Sequence, residues 1–158
     1  MIQLHEQITV ERPALDCFLY LADLRTLVEW DQSVRRATKL SRGPIGKGTN
    51  FKVVVNFARF PLAMTYTVTQ HVLGKRIVIT GRSFLLTVTD IIDFSETDSG
   101  TVIDYRADFH FHLGLESLIK RNPQATETLG KVAIEGLKKA LSDEPAAPAI
   151  SPENQKND

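Results

Sequence analysis

ATETLGKVAIEGLKKALS, residues 125–142, sets Leu129, Val132, Ala133, Leu137, Ala140 and Leu141 at three- and four-residue steps, which predicts a long helix with a single apolar stripe. Such a stripe has to be covered. The upstream residues supply the surface, because they read as strands with one apolar face each, joined by short turns. The clearest lies just before the helix: Ile103, Tyr105, Ala107, Phe109 and Phe111 alternate with Asp104, Arg106, Asp108, His110 and His112. One face is apolar and the other nearly all ionisable, as in an antiparallel sheet with one solvated side. Between strand and helix, Leu113 to Arg121 predicts a short helical turn, broken by Asn122-Pro123.

Further upstream the same parity repeats. Asp98-Ser99-Gly100 marks a turn before the last strand, and Phe84, Leu86, Val88, Ile92 and Phe94 share one face of the strand before it, interrupted by Asp90. Gly74-Lys75 turns the chain into a strand over Arg76 to Thr80. Leu62, Met64, Tyr66 and Val68 form another apolar face opposite Thr65, Thr67 and Thr69, and after a turn near Arg59 it pairs with Phe51, Val53, Val55 and Phe57. Val34 to Leu40 precedes these as a strand. The first strand, Ile2 to Val10, has Ile2, Leu4, Ile8 and Val10 on one face, with Glu6 as the exception. Between the first two strands, Pro13 suits the opening turn of a helix carrying Leu15, Phe18, Leu19 and Ala22, and a second short helix spans roughly Leu24 to Trp30. The expected fold class is therefore α+β: a curved seven-stranded antiparallel sheet wrapped around a long C-terminal helix, with two short helices between strands one and two. The domain is expected over residues 1–143, and the Pro-, Ala- and charge-rich residues 144–158 as a disordered tail.

With 158 residues, 42% apolar and 24% charged, the composition is that of one globular domain large enough to hold an internal pocket. Lys plus Arg balance Asp plus Glu at 19 each, so there is no basic field to draw the chain onto nucleic acid or anionic lipid. The apolar runs are too short to span a bilayer, and the first residues lack a basic start followed by an apolar centre. A cytoplasmic location is the expectation, consistent with Cys17 as the lone cysteine, which reads as a packing residue. Gly43-Pro-Ile-Gly-Lys-Gly-Thr49 superficially suggests a phosphate loop. It lacks the Gly-Lys-Ser/Thr ending and leads into a strand, so it reads as a turn. His110 and His112, with Asp108 beside them and His5 across on the first strand, have metal-ligand spacing but sit on the solvated face, where they read as a polar surface or a dimer contact; no metal or cofactor is expected.

The order of elements resembles the helix-grip fold of the START-like (SRPBCC) superfamily, which includes polyketide cyclase/dehydratase-like, lipid-transfer and plant pathogenesis-related proteins. The matching motifs are Pro13 with Phe18 behind it, Trp30 followed by Val34, Gly46-x-Gly48-Thr49 entering a strand, Ser99-Gly100-Thr101 before the last strand, and the amphipathic final helix, over roughly residues 2 to 142. The resemblance implies a cavity between sheet and helix that takes small, mostly apolar molecules. It does not fix a reaction, because the superfamily mixes binding proteins with enzymes.

If the apolar parity points inward, Glu6, Tyr66, Asp90 and Tyr105 are the polar groups aimed at that cavity. In the usual strand order Glu6, Tyr105 and Asp90 fall on neighbouring strands, where a carboxyl in an apolar pocket would have the raised pKa a general acid or base needs. The same acids could instead lie at the sheet rim, hydrated or paired with Arg82 or Arg76. The expected ligand-binding wall comprises Val53, Val55, Met64 and Val88 from the sheet with Tyr66, Asp90, Tyr105 and Phe109. Trp30, at the mouth or in the core, and Leu129, Val132 and Ala133 from the helix complete it. The leading expectation is binding of a hydrophobic or aromatic small molecule or lipid. The alternatives are a cyclase/dehydratase enzyme using Glu6, Asp90 or Tyr105, and a protein interaction module.

Overall fold

A computed structural model of the chain describes residues 1–142, apart from the side chains of residue 123 and residues 125–129. The expected tail and the Leu129 side chain lie outside the described residues. The elements run β1 (Ile2–Val10), α1 (Ala14–Ala22), a 3-10 turn (Leu24–Thr26), α2 (Leu27–Trp30), β2 (Val34–Lys39), β3 (Asn50–Phe57), β4 (Phe60–Val72), β5 (Arg76–Arg82), β6 (Leu86–Thr97), β7 (Gly100–Phe111), α3 (Leu115–Lys120) and α4 (Pro123–Ser142). The sheet has seven strands in the order β1-β7-β6-β5-β4-β3-β2, with every neighbouring pair antiparallel.

The sheet is strongly curled. Phe57 on β3 and Phe111 on β7 lie four strand positions apart, which in a flat sheet is roughly 19 Å at about 4.8 Å per strand. Their rings nevertheless stack with centroids 6.1 Å apart. The curl turns the apolar faces of all the strands toward one another, and α4 lies along the opening against β1 and α2. Two glycines let it approach closely. A Cβ on Gly130 would lie 2.8 Å from the Leu4 side chain, and one on Gly136 would lie 2.1 Å from the Trp30 carbonyl oxygen.

At one end the interior is filled. Cys17, Phe18, Leu21 and Ala22 of α1 pack with Ile77, Phe94, Ile103, Leu137 and Leu141, and Phe18 meets Phe94 and His71 edge-on. Cys17 is wholly buried, as a packing residue should be, and burial pushes its thiol pKa up. Two details depart from the sequence reading. β5 continues through Gly81 to Arg82, and Phe84, expected on the apolar face of β6, is 73% exposed in the turn closed by Ser83 accepting from the Leu86 amide. Hydrogen bonding in that turn holds the backbone out of the pleat, so strand parity does not reach Phe84. In the glycine-rich loop, Gly43 and Gly48 take positive φ (83° and 91°), and the Gly46 amide donates to Thr49 Oγ1 at 2.9 Å. No described helix is long and apolar enough to cross a membrane.

Candidate functional site

The other end holds a cavity of about 420 Å³ bounded by the sheet, α2 and α4. Apolar side chains from β1, α2, β3, β4, β6, β7 and α4 make most of its wall, among them Leu4, Leu27, Val55, Met64, Val88, Phe109 and Ile134. The polar groups on the wall converge from separate elements. Asp90 comes from β6 and Tyr105 from β7; Tyr66 comes from β4, and Asp31 and Ser33 from the residues that follow α2.

Asp90 and Tyr105 are adjacent because register places Asp90 opposite Ala107 and Tyr105 opposite Ile92, so both side chains project from the concave face one step apart. The Tyr105 hydroxyl donates to Asp90 Oδ1 at 3.0 Å. Part of the Asp90 surface faces the cavity, so a half-buried side chain is still remote from bulk water. Burial pushes its carboxyl pKa up to about 7; the Tyr105 hydrogen bond opposes the rise, and the charges of Asp31 and Asp108 add to it. Tyr105 and Tyr66 are both held well above the usual phenol range, by burial first and by the Asp90 charge next. Tyr66 lies flat on Gly81, its partner across β4 and β5, where a Cβ would fall 2.5 Å from the ring. Among the described residues its hydroxyl reaches only Met64 Sδ, at 3.9 Å, which leaves its donor available to a ligand.

The expected wall residues Trp30, Val55, Met64, Tyr66, Val88, Asp90, Tyr105, Phe109 and Ala133 line the cavity. Others do not. Val53 is completely buried in the core further along β3, and Val132 is half-buried off the cavity wall. Glu6 does stand opposite Tyr105, as the strand order required, but it is not on the wall. β1 is the sheet edge, so a side chain there can pass the rim instead of entering. Arg76, considered as a partner for the cavity acids, instead meets Asp93 on the convex face, its Nε 2.8 Å from Asp93 Oδ1.

The histidine face is dispersed among other partners. His5 pairs with Asp104, His112 Nε2 lies 3.0 Å from Thr87 Oγ1, and Gln3 donates to Asp108 at 2.9 Å. Among the described residues no three His, Cys, Asp or Glu side chains gather as a metal site would require.

Asp31 and Ile134 were missed by the sequence reading. Ile134 had a signal: it stands three residues before Leu137 and seven before Leu141, at the centre of the stripe. Asp31 had none, because it follows a four-residue helix whose orientation no periodicity sets. Its Oδ1 accepts from the Ser33 amide and hydroxyl at 2.9 and 2.7 Å, which fixes the turn into β2.

The sequence matches the family model described as polyketide cyclase/dehydrase and lipid transport over residues 1–143. A comparison with curated proteins finds no match. Solved structures similar to this chain include a START superfamily protein from Mycobacterium smegmatis, at 13% identity and TM-score 0.72, covering 88% of this chain and 96% of that one. The protein TTHA0849 from Thermus thermophilus aligns at 12% identity and TM-score 0.68 over 89% of this chain and 97% of its own. The di-domain ARO/CYC StfQ of the steffimycin biosynthetic pathway aligns at 15% identity and TM-score 0.66, with 89% of this chain covering 50% of that one. The fold is the START-like helix-grip fold.

Proposed function

This chain belongs to the polyketide cyclase/dehydrase and lipid transport family, and we propose that it binds a hydrophobic or aromatic small molecule in the cavity between its curled sheet and α4. The observation that carries this reading is an interior space of about 420 Å³ with apolar walls and a few convergent polar groups. That size and make-up are those of a small-molecule pocket. A neutral environment-sensitive dye, N-phenyl-1-naphthylamine, tests it: the dye should bind with one-site stoichiometry and brighten, and substitution of Ala133 by Phe, which projects bulk from α4 into the space, should weaken binding at least tenfold. Binding unaffected by Ala133→Phe would place the dye elsewhere.

A second reading is favoured by one specific observation, a carboxyl held near neutrality against a tyrosine hydroxyl. In a cyclase or dehydratase reaction Asp90 would accept a proton from the carbon beside a ligand carbonyl, and the Tyr66 hydroxyl would donate to the carbonyl oxygen as it gains charge. The resulting carbon nucleophile would attack a second carbonyl, and loss of water would follow. On this reading Asp90→Asn abolishes turnover and keeps affinity for the product, whereas a carrier shows no turnover to lose.

A further inference from the structure

The described side chains on the cavity wall are apolar, neutral polar or acidic; Asp31 and Asp90 are carboxylates, and no Arg, Lys or His is among them. Several bases are held by acids off the wall. Arg76 and Arg106 meet Asp93 on the convex face, Arg25 pairs with Asp23, and Lys120 with Glu116. Asp90 makes one hydrogen bond among the described residues, with the Tyr105 hydroxyl, and that donor is neutral. Trp30 is 6% exposed, and its indole N–H is buried with no partner among the described residues.

We infer that the ligand of this cavity carries a cationic group, a hydrophobic or aromatic amine in place of a carboxylate or phosphate. The inference rests on the cavity being the ligand site and adds the sign of the ligand's charge. An anion buried here would lose its hydration, gain no counter-charge and, wherever Asp90 is ionised, face two like-charged carboxylates. A neutral donor such as the Tyr66 hydroxyl can serve a ligand oxygen, but it does not neutralise a full negative charge. An ammonium meets the opposite situation. Its N–H donors find the Asp90 carboxylate for a charge-assisted hydrogen bond, and the aromatic side chains of Tyr66, Tyr105 and Trp30 stand on the same wall, where a ring can attract a cation. The apolar remainder of the wall then takes the hydrocarbon part.

Three ligands of one chain length and different charge separate the outcomes. Decylamine, decanol and decanoate are titrated at pH 8 against the full chain carrying N-phenyl-1-naphthylamine, and dye displacement is read by fluorescence. Decylamine should displace the dye at a concentration at least tenfold below decanol, and decanoate should need at least tenfold more than decanol. In Asp90→Asn, and separately in Asp31→Asn, the preference for decylamine over decanol should fall below threefold. Decanoate displacing as well as decanol, decylamine no better than decanol, or a preference that survives both substitutions would each overturn the inference and leave the binding reading standing. Failure of the dye itself to bind would bring down the binding reading and the inference together.

Discussion

Asp90 is the residue at which burial and charge conflict most sharply. Its carboxyl is pushed to about 7 when folded, against 3.8 for the free side chain, chiefly because burial disfavours the ionised form. Between those two values the folded protein therefore binds more protons than the unfolded chain, so the group's contribution to stability falls as pH rises through about 4 to 7 and is level above that. The steepest slope is about 1.4 kcal/mol per pH unit, one proton's worth. Asp90→Asn cannot ionise and keeps a hydrogen-bonding partner for Tyr105. The variant is expected to be more stable than the parent at pH 8, by about 2–4 kcal/mol, with the difference vanishing by pH 4. Urea denaturation of both proteins across that range measures it. A difference independent of pH would mean that Asp90 ionises in contact with water, and the cavity would then be no apolar pocket.

α4 and the strands differ in how much of their placement a sequence displays. Strand parity is an on-off signal with period two, so Tyr66, Asp90 and Tyr105 could be assigned to the inner face from their neighbours alone, and strand order then brought Asp90 beside Tyr105. For α4 the stripe showed that one side is covered and left open how closely. That distance decides between a filled core and a cavity, and it depends on backbone contacts at glycines that carry no apolar signal. Glu6 illustrates the limit on β1, where parity was right but an edge strand need not deliver its side chain inside. Gly136 is the sharpest test of the helix placement. Alanine improves helix propensity by about 1 kcal/mol at an interior position, yet its Cβ would meet the Trp30 carbonyl oxygen, a backbone atom, at 2.1 Å. The clash should win, and Gly136→Ala should destabilise by about 1–3 kcal/mol, as overpacking does. A shift of the urea midpoint upward would show that α4 stands further from α2 and that the cavity is larger.

For the whole molecule, the curl that encloses the cavity also brings together two strands that share no ladder. The β3–β4 hairpin turns through Ala58 and Arg59, both at positive φ (48° and 70°), between the register partners Phe57 and Phe60. Such a two-residue turn keeps the hairpin twisted and lets it arch over the sheet. Phe57 comes to rest on Phe111, which in turn stacks on Phe109 with centroids 6.4 Å apart, and all three rings lie on the cavity wall. The ring contact thus joins two strands that share no backbone hydrogen bonds, at the cavity end away from the packed α1 core. Strands without a shared ladder can separate without breaking the sheet, so we expect the cavity to open at this contact. An aromatic pair of this kind is worth about 0.5–1.5 kcal/mol, which corresponds to a factor of roughly 2–10 in the opening equilibrium. Phe111→Leu keeps an apolar wall and removes the stacking. Stopped-flow measurement of N-phenyl-1-naphthylamine binding should then show association and dissociation both faster by about that factor, with the dissociation constant changed by less than threefold. Faster dissociation alone would make Phe111 a ligand contact, and unchanged rates would place the entrance elsewhere, between α2 and β2 or beside α3. Equal acceleration of both rates is the signature of a seam, because a barrier lowered for entry is lowered by the same amount for exit.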